Sequence, residues 1–295
     1  MRMQEKEQQQ KVFNEHASAK GLVYDGNVNT KEEWTGFSKI IGDIIKDKDQ
    51  LANFLQSGPL HSFFFVNSQD LLLDNELFLL EKLFMKDELE GFLQESPIGN
   101  PPLLYSGKYD TTHNSVHHLY HLARYYKQHS TKIKEVKSVV EWGGGYGNMC
   151  KVFFNFSDNL TTYTIFDLPV CSLLQYIYLS SVFGKENVNL STDGHIEENK
   201  INLLTFDKYD KDTKLTADMF LSTWALSESP IEYQKSVIDE LNWFDCPQML
   251  LAFHQCGNHI PFMEESTALG WEAKKAGSKI LDVKVIPGVN HYAFR

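Results

Sequence analysis

The stretch Ser138-Val-Val-Glu-Trp-Gly-Gly-Gly-Tyr-Gly-Asn-Met149 decides the fold. A β-branched pair, Val139 and Val140, runs into an acid at Glu141 and then into glycines at 143, 144, 145 and 147. Beyond them, Asn148 to Phe156 carries a helical pattern. Strand, glycine turn and helix together bring backbone against a nucleotide-like ligand. Glycine serves in such a turn because it accepts positive φ and has no Cβ to hold a ligand away.

Outward from this turn the chain alternates. A second strand over 161–166 closes on Asp167-Leu168-Pro169, and Pro169 opens a helix that runs to Phe183 and stops at Gly184. A short strand follows at 188–190. The polar, turn-rich segment 193–216 has one brief apolar break, Ile201 to Leu204. A strand over 217–224, a helix from Pro230 to Phe244 and a strand over 249–253 come next. The polar stretch 254–277 holds one further helix, and strands at 280–286 and 292–294 flank Pro287-Gly288. Strands alternating with helices predict a mostly parallel sheet covered on both faces. The last pair is too closely joined for a crossover, so it must be antiparallel. The expectation is seven strands, mostly parallel, ending in an antiparallel hairpin.

N-terminal to the turn the pattern is helical. Residues 1–30 are polar. Trp34, Phe37, Ile40, Ile41, Ile44 and Ile45 recur at helical spacing, Leu51, Phe54 and Leu55 continue it, and a further stripe runs through Leu72, Leu73, Leu77, Leu80, Phe84 and Leu89. Such stripes are read as core rather than ligand pocket. Pro97, Gly99, Pro101 and Pro102 mark a boundary. The division is a helical extension over 1–104, a linking helix and acceptor-pocket segment over 105–137, and a ligand-binding domain over 138–295. In the linking segment Ser115 is placed to cap a helix running to about Gln128. His117 and His121 lie four apart on one face of it, with His113 and His118 nearby. No H-E-x-x-H accompanies them, so packing or an acceptor pocket is preferred over a metal.

Composition narrows the classes. The chain has 295 residues, 42% hydrophobic and 23% charged, enough apolar mass for a sizeable core. A net charge of −11 argues against a nucleic-acid partner. Four cysteines without a C-x-x-C pair signal neither a zinc knuckle nor a disulfide framework, and are read as reduced thiols of a cytoplasmic protein. The N-terminus has no apolar signal region, and no stretch reaches the roughly 18 apolar residues that a membrane span needs. A homo-oligomer is compatible with all of this.

Two phosphate-binding patterns fail. No lysine follows the glycines as G-x-x-x-x-G-K-[ST] demands, and G-x-G-x-x-G would need glycine where Asn148 stands. The pattern present is E-x-G-x-G-x-G, with a second acid, Asp167, 26 residues after Glu141. An acid closing the second strand suits ribose hydroxyls and repels a 2′-phosphate. Together with the terminal hairpin, these motifs resemble class I S-adenosylmethionine-dependent methyltransferases over 138–295, about half the chain. Val140-Glu-Trp-Gly-Gly-Gly-Tyr-Gly-Asn148, Phe166-Asp-Leu-Pro169 and Ser222-Thr-Trp-Ala-Leu-Ser-Glu-Ser-Pro230 are similar to the motifs of a sugar O-methyltransferase family. The resemblance implies a Rossmann-like α/β fold, S-adenosylmethionine as cofactor, and methylation of a sugar hydroxyl on a small molecule or glycan. A phenolic small molecule is the nearest rival acceptor. An NAD-dependent oxidoreductase and a non-catalytic binding subunit are the alternatives from other classes.

The resemblance also implies site residues. Gly143, Gly145 and Gly147 would wrap the cofactor, with Glu141 steadying the turn or reaching the cofactor amino group through water. Asp167 would hold the ribose, with Leu168 against the adenine and Leu203 or Leu204 as its second wall. Ser222 and Thr223 would lie near the methionine portion and the acceptor. For Asp167 an Asx turn before Pro169 is the alternative role. An alcohol acceptor needs a base. His254 is the first candidate, ending the strand Leu250-Leu-Ala-Phe-His254 at the ligand crevice. Glu228 is the second, as base or orienting group. His118, His117 and His259 follow. No carboxylate cluster suggests a metal.

Overall fold

The computed structural model describes residues 11, 32–58, 60, 71–104, 107–129, 132–210, 214–254, 269–282 and 290–295. The N-terminal part is helical, as its stripes predict: α1 Glu32–Lys46, α2 Lys48–Ala52, α3 Leu71–Leu83 and α4 Lys86–Phe92. Two further helices, α5 His113–His129 and α6 Lys132–Glu135, lead to the first strand. From there β1 Ser138–Trp142, α7 Asn148–Phe156, β2 Thr162–Phe166, α8 Pro169–Phe183, β3 Val188–Leu190 and β4 Ile201–Leu204 build one half of a sheet. The other half comes from β5 Met219–Thr223, α9 Ala225–Glu228, α10 Ile231–Lys235, β6 Gln248–His254, α11 Leu269–Lys275, β7 Lys279–Asp282 and β8 Asn290–Phe294.

The strand order is β3-β4-β2-β1-β5-β6-β8-β7. The pairs from β3 through β6 are parallel. Only β8 runs against its neighbours, entering between β6 and β7. This is a Rossmann-like α/β sheet with an antiparallel end. The chain leaves β1 toward β2, β4 and β3, then returns to the other side of β1 as β5. That reversal opens a crevice at the carboxyl ends of β1 and β5, where doubly wound sheets take their ligands.

Side chains alternate across the sheet with the period of two that a strand imposes. Val139, Ile165, Leu203, Leu221 and Leu250 enter one core, shared with the N-terminal helices, α5, α7 and α8. Val140, Phe166, Leu204, Phe220 and Leu251 enter the other, with Trp243 and Phe244. Among the described residues no helix is long and apolar enough to cross a membrane.

Four sequence expectations are corrected. The sheet has eight strands rather than seven, because Ile201–Leu204 is a full strand paired with both β2 and β3. Ile201-Asn-Leu-Leu204 is buried at every position, Asn202 included, so it shows no apolar–polar alternation to betray a strand. The helix expected from Pro230 to Phe244 ends at Lys235, passes through a wider π-type turn over Ser236–Glu240, and then leaves helical geometry. Trp243 and Phe244 take φ of 57° and 55° and bury their rings in the second core. The cap of α5 is Thr112, whose Oγ1 accepts the Ser115 amide at 3.2 Å. Ser115 itself lies within the helix and donates to Glu95 Oε2 at 2.6 Å. Finally, Trp34 lines a cleft rather than the core. The polar segment 1–30 (save Lys11), the Leu72 and Leu73 side chains, His259 and the Pro287-Gly288 turn lie outside the described residues.

Candidate active site

The glycine turn needs its glycines. Gly143, Gly145 and Gly147 have φ of 77°, 60° and 98°, the left-handed region that side chains avoid. Space is denied as well: a Cβ on Gly143 would stand 2.1 Å from Ala225 Cβ, and one on Gly147 2.9 Å from Leu179. Asp167, just past β2, clasps this turn. Its Oδ2 accepts the Gly145 amide at 3.0 Å and Gln175 Nε2 at 2.8 Å, and its Oδ1 accepts the Leu168 amide at 2.7 Å. An Asx turn is ruled out locally, because Pro169 has no amide hydrogen to donate. Burial pushes the Asp167 carboxyl up to about 6, against the lowering pull of these hydrogen bonds.

Two anchors hold the turn from below. Glu141 is buried and accepts the Tyr163 hydroxyl at 2.9 Å. Burial drives its carboxyl up to about 8, so it is largely protonated at neutral pH. Asn148, standing where a dinucleotide motif would have glycine, is 0% exposed. Its side-chain amide donates to His118 Nδ1 at 3.0 Å, tying the turn to α5. One turn further along α7, Lys151 pairs with buried Glu95. Burial alone would raise the Glu95 carboxyl, but the Lys151 ammonium and the Ser115 and Thr112 hydroxyls outweigh it and hold it below the usual value.

Above the turn lies an open cleft. Its lining comes from the carboxyl ends of β1 (Trp142, Gly143), β2 (Phe166, Asp167, Leu168) and β4 (Phe206), from Ala225, Ser229, Pro230 and Tyr233, and from Trp34 of α1. Trp142 organises the floor, with its ring centroid 5.1 Å from Phe206 and 6.1 Å from Phe166, and its Nε1 donating to Ser229 Oγ at 2.9 Å. Leu203 and Leu204, expected on the wall, are 0% and 1% exposed in the two cores. Phe206, two residues past the strand, lines the cleft in their place. The rule that ligands lie beyond strand ends could have found it. Ser222 is likewise turned inward: its Oγ donates to Trp142 O at 2.9 Å and accepts the Leu226 amide at 3.1 Å. Thr223 ends β5, half-buried.

The two leading acid–base candidates meet. His254 Nε2 lies 3.4 Å from Glu228 Oε1, although the residues belong to different elements. The imidazole stacks on Trp224 at 4.9 Å with 27° between planes. Trp224 itself sits at φ 72° and ψ −43°, a conformation rare and strained outside glycine. Its amide donates to Ala252 O at 2.8 Å, and Ser227 Oγ accepts the His254 amide at 3.3 Å. Strain of this kind, overdetermined by its surroundings, concentrates at functional sites. A carboxylate beside an imidazole can orient it and stabilise its protonated form, which equips the pair as a general base.

The helical histidines form something else. His117 Nδ1 meets Glu76 Oε1 at 2.7 Å, the two Nε2 atoms of His117 and His121 are 3.0 Å apart, and His121 Nδ1 meets the Tyr292 hydroxyl at 2.6 Å. All four side chains are buried. Burial, with help from neighbouring positive charge, pushes His118 and His121 well below the ordinary imidazole value. His118 is committed to Asn148 rather than to the His254 pair. Among the described residues no group of three or more histidine, cysteine or acidic side chains could hold a metal ion.

No family model and no curated protein matches the chain. Several solved structures resemble it. The mitomycin 7-O-methyltransferase MmcR has 13% identity and a TM-score of 0.38, over 61% of this chain and 56% of that one. An O-methyltransferase family protein from Burkholderia thailandensis has 13% identity and a TM-score of 0.39, over 86% and 71%. Magnesium protoporphyrin IX methyltransferase (ChlM) from Synechocystis PCC 6803, with bound S-adenosylmethionine, has 9% identity and a TM-score of 0.41, over 77% and 98%. The chain thus spans little more than half of the mitomycin enzyme. Likeness at this level carries nothing about activity.

Proposed function

We propose that this chain is an S-adenosylmethionine-dependent O-methyltransferase of a small-molecule hydroxyl, with a sugar hydroxyl as the preferred acceptor. One observation carries the reading: Asp167 clasps the glycine turn at the mouth of an aromatic cleft, and the His254–Glu228 pair stands beyond the carboxyl ends of β6 and β5, on the other side of β1. The residues present fit the cofactor. Leu168 and Phe206 are apolar and aromatic walls suited to a purine, and the Asp167 carboxylate suits ribose hydroxyls while repelling phosphate.

When bound, the cofactor supplies an electrophilic methyl on sulfur. The chain's own residues do the remainder. Trp142, Phe206 and Tyr233 keep water from the cleft, and Thr223 marks the acceptor side at the end of β5. His254 takes the acceptor hydroxyl proton, and Glu228 holds the resulting imidazolium. A sugar alcohol is a poor nucleophile until that proton moves, so the pair matters more for a sugar than for a phenol. The sugar assignment rests on the motifs around Asn148, Asp167 and Glu228.

Calorimetric titration tests the reading. Wild type should bind S-adenosylmethionine and S-adenosylhomocysteine and not NAD. Asp167→Ala should weaken binding by about 10- to 100-fold, the loss of charge-assisted bonds to the ribose. Binding of NAD in place of S-adenosylmethionine would overturn it. Incubation with labelled cofactor, free sugars, glycans and phenols then separates the acceptor classes.

A further inference from the structure

We infer that Trp34, on the N-terminal helix, is a ligand-contacting wall of the cofactor cleft, so that the nucleoside is gripped partly by a residue from outside the sheet. This rests on the function proposed above and assigns a new residue to its site. Trp34 lines the same cleft as Gly143, Asp167 and Leu168, more than a hundred positions away in sequence.

The geometry follows from one stripe used twice. Trp34, Phe37, Ile41 and Ile44 recur at intervals of three, four and three residues, one face of a helix. The inner half of this stripe is anchored: Ile41 and Ile44 are 0% and 4% exposed, in the core that also holds Leu174, Ile177 and Tyr178 of α8. That helix starts at Pro169, immediately after Asp167 and Leu168. The anchor therefore fixes α1 against the helix that begins at the ligand-facing turn. The outer half, Trp34 with Phe37 at 6.1 Å, is only half-buried and extends past the core over the cleft. An indole kept at the edge of an aromatic cleft, when the same stripe buries its isoleucines fully, is placed to stack on a planar ring. The purine is the planar part of the proposed ligand.

Contact also implies reciprocity: a ligand that touches α1 must steady α1. Two measurements test this with S-adenosylhomocysteine as the probe. Trp34→Ala should weaken its binding by about 5- to 150-fold, the range for loss of one base–aromatic stack, with adenosine losing affinity in parallel. Trp34→Phe, which keeps a ring, should recover most of the loss, and neither variant should shift Tm appreciably. In wild type, S-adenosylhomocysteine should slow amide exchange over residues 34–37 as well as over the glycine turn. Equal affinity in wild type and Trp34→Ala, or protection confined to the glycine turn, overturns the inference while leaving the proposed function standing. A wild type that binds neither S-adenosylmethionine nor S-adenosylhomocysteine overturns both.

Discussion

Replacing Gly143 by alanine should damage the protein in two separable ways. The new Cβ would lie 2.1 Å from Ala225 Cβ, where carbon atoms pack at about 3.5–4.0 Å, so the two must part by about 1.5 Å. Such overpacking costs about 1–3 kcal/mol. Independently, φ of 77° asks an L-residue to adopt a left-handed conformation, at about 1–2 kcal/mol. Together, Gly143→Ala should cost about 2–5 kcal/mol, measured as a lowered urea midpoint at unchanged slope. Because Ala225 opens α9, which carries Glu228 toward His254, and both Gly143 and Ala225 line the cleft, affinity for S-adenosylhomocysteine should fall as well. The steric part can be isolated by a double-mutant cycle. Ala225→Gly removes the clashing atom, so adding it to Gly143→Ala should return about 1–3 kcal/mol and leave the backbone part unpaid. Gly107→Ala, at φ 59° with nothing near its Cβ, should show the backbone part alone. An unchanged midpoint in Gly143→Ala, or no recovery in the double variant, would refute the steric reasoning.

Two further outcomes are expected. The buried Glu141 carboxyl, raised from 4.5 to about 8, keeps a proton in the folded state that the unfolded state has released. Its contribution is therefore complete below pH 4.5 and is lost as pH rises to about 8, at about 1.4 kcal/mol per pH unit within that window. Glu141→Gln can still accept from Tyr163 but cannot titrate, so wild type minus variant stability should fall between pH 5 and 8, and a flat difference in urea unfolding would contradict the burial argument. For chemistry, His254→Asn should lower turnover of a sugar acceptor by about 100- to 10,000-fold with cofactor affinity unchanged, and Glu228→Gln by less. Turnover unaltered by His254→Asn across pH 6–9 would remove it as the base.

Much of the site's frame was legible in the sequence because it is built from short-range constraints. Gly143, Gly145 and Gly147 announce positive φ, Pro169 announces a helix start, and Asp167 stands beside both. β4 was not legible, since four residues buried at every position, Asn202 among them, carry no period. The end of α10 was not legible either: the reversal at Trp243 and Phe244 answers to a core built by residues from other strands. The wall assigned to Leu203 and Leu204 belongs to Phe206, because the cleft begins only where the strand stops. Trp34 was read as core on its spacing, which names a helix face but not what that face meets.

The amino-acid sequence alone determined the alternation of elements, the glycine turn, the acid that follows it and the antiparallel close, because each depends on dihedral limits and hydrogen-bonding options within a few residues. Tertiary structure decided the strand order, the inward turn of Ser222, the meeting of His254 with Glu228 and the arrival of Trp34 at the cleft. Those depend on which distant surfaces pack together, and packing is a property of the whole core rather than of any stretch of chain.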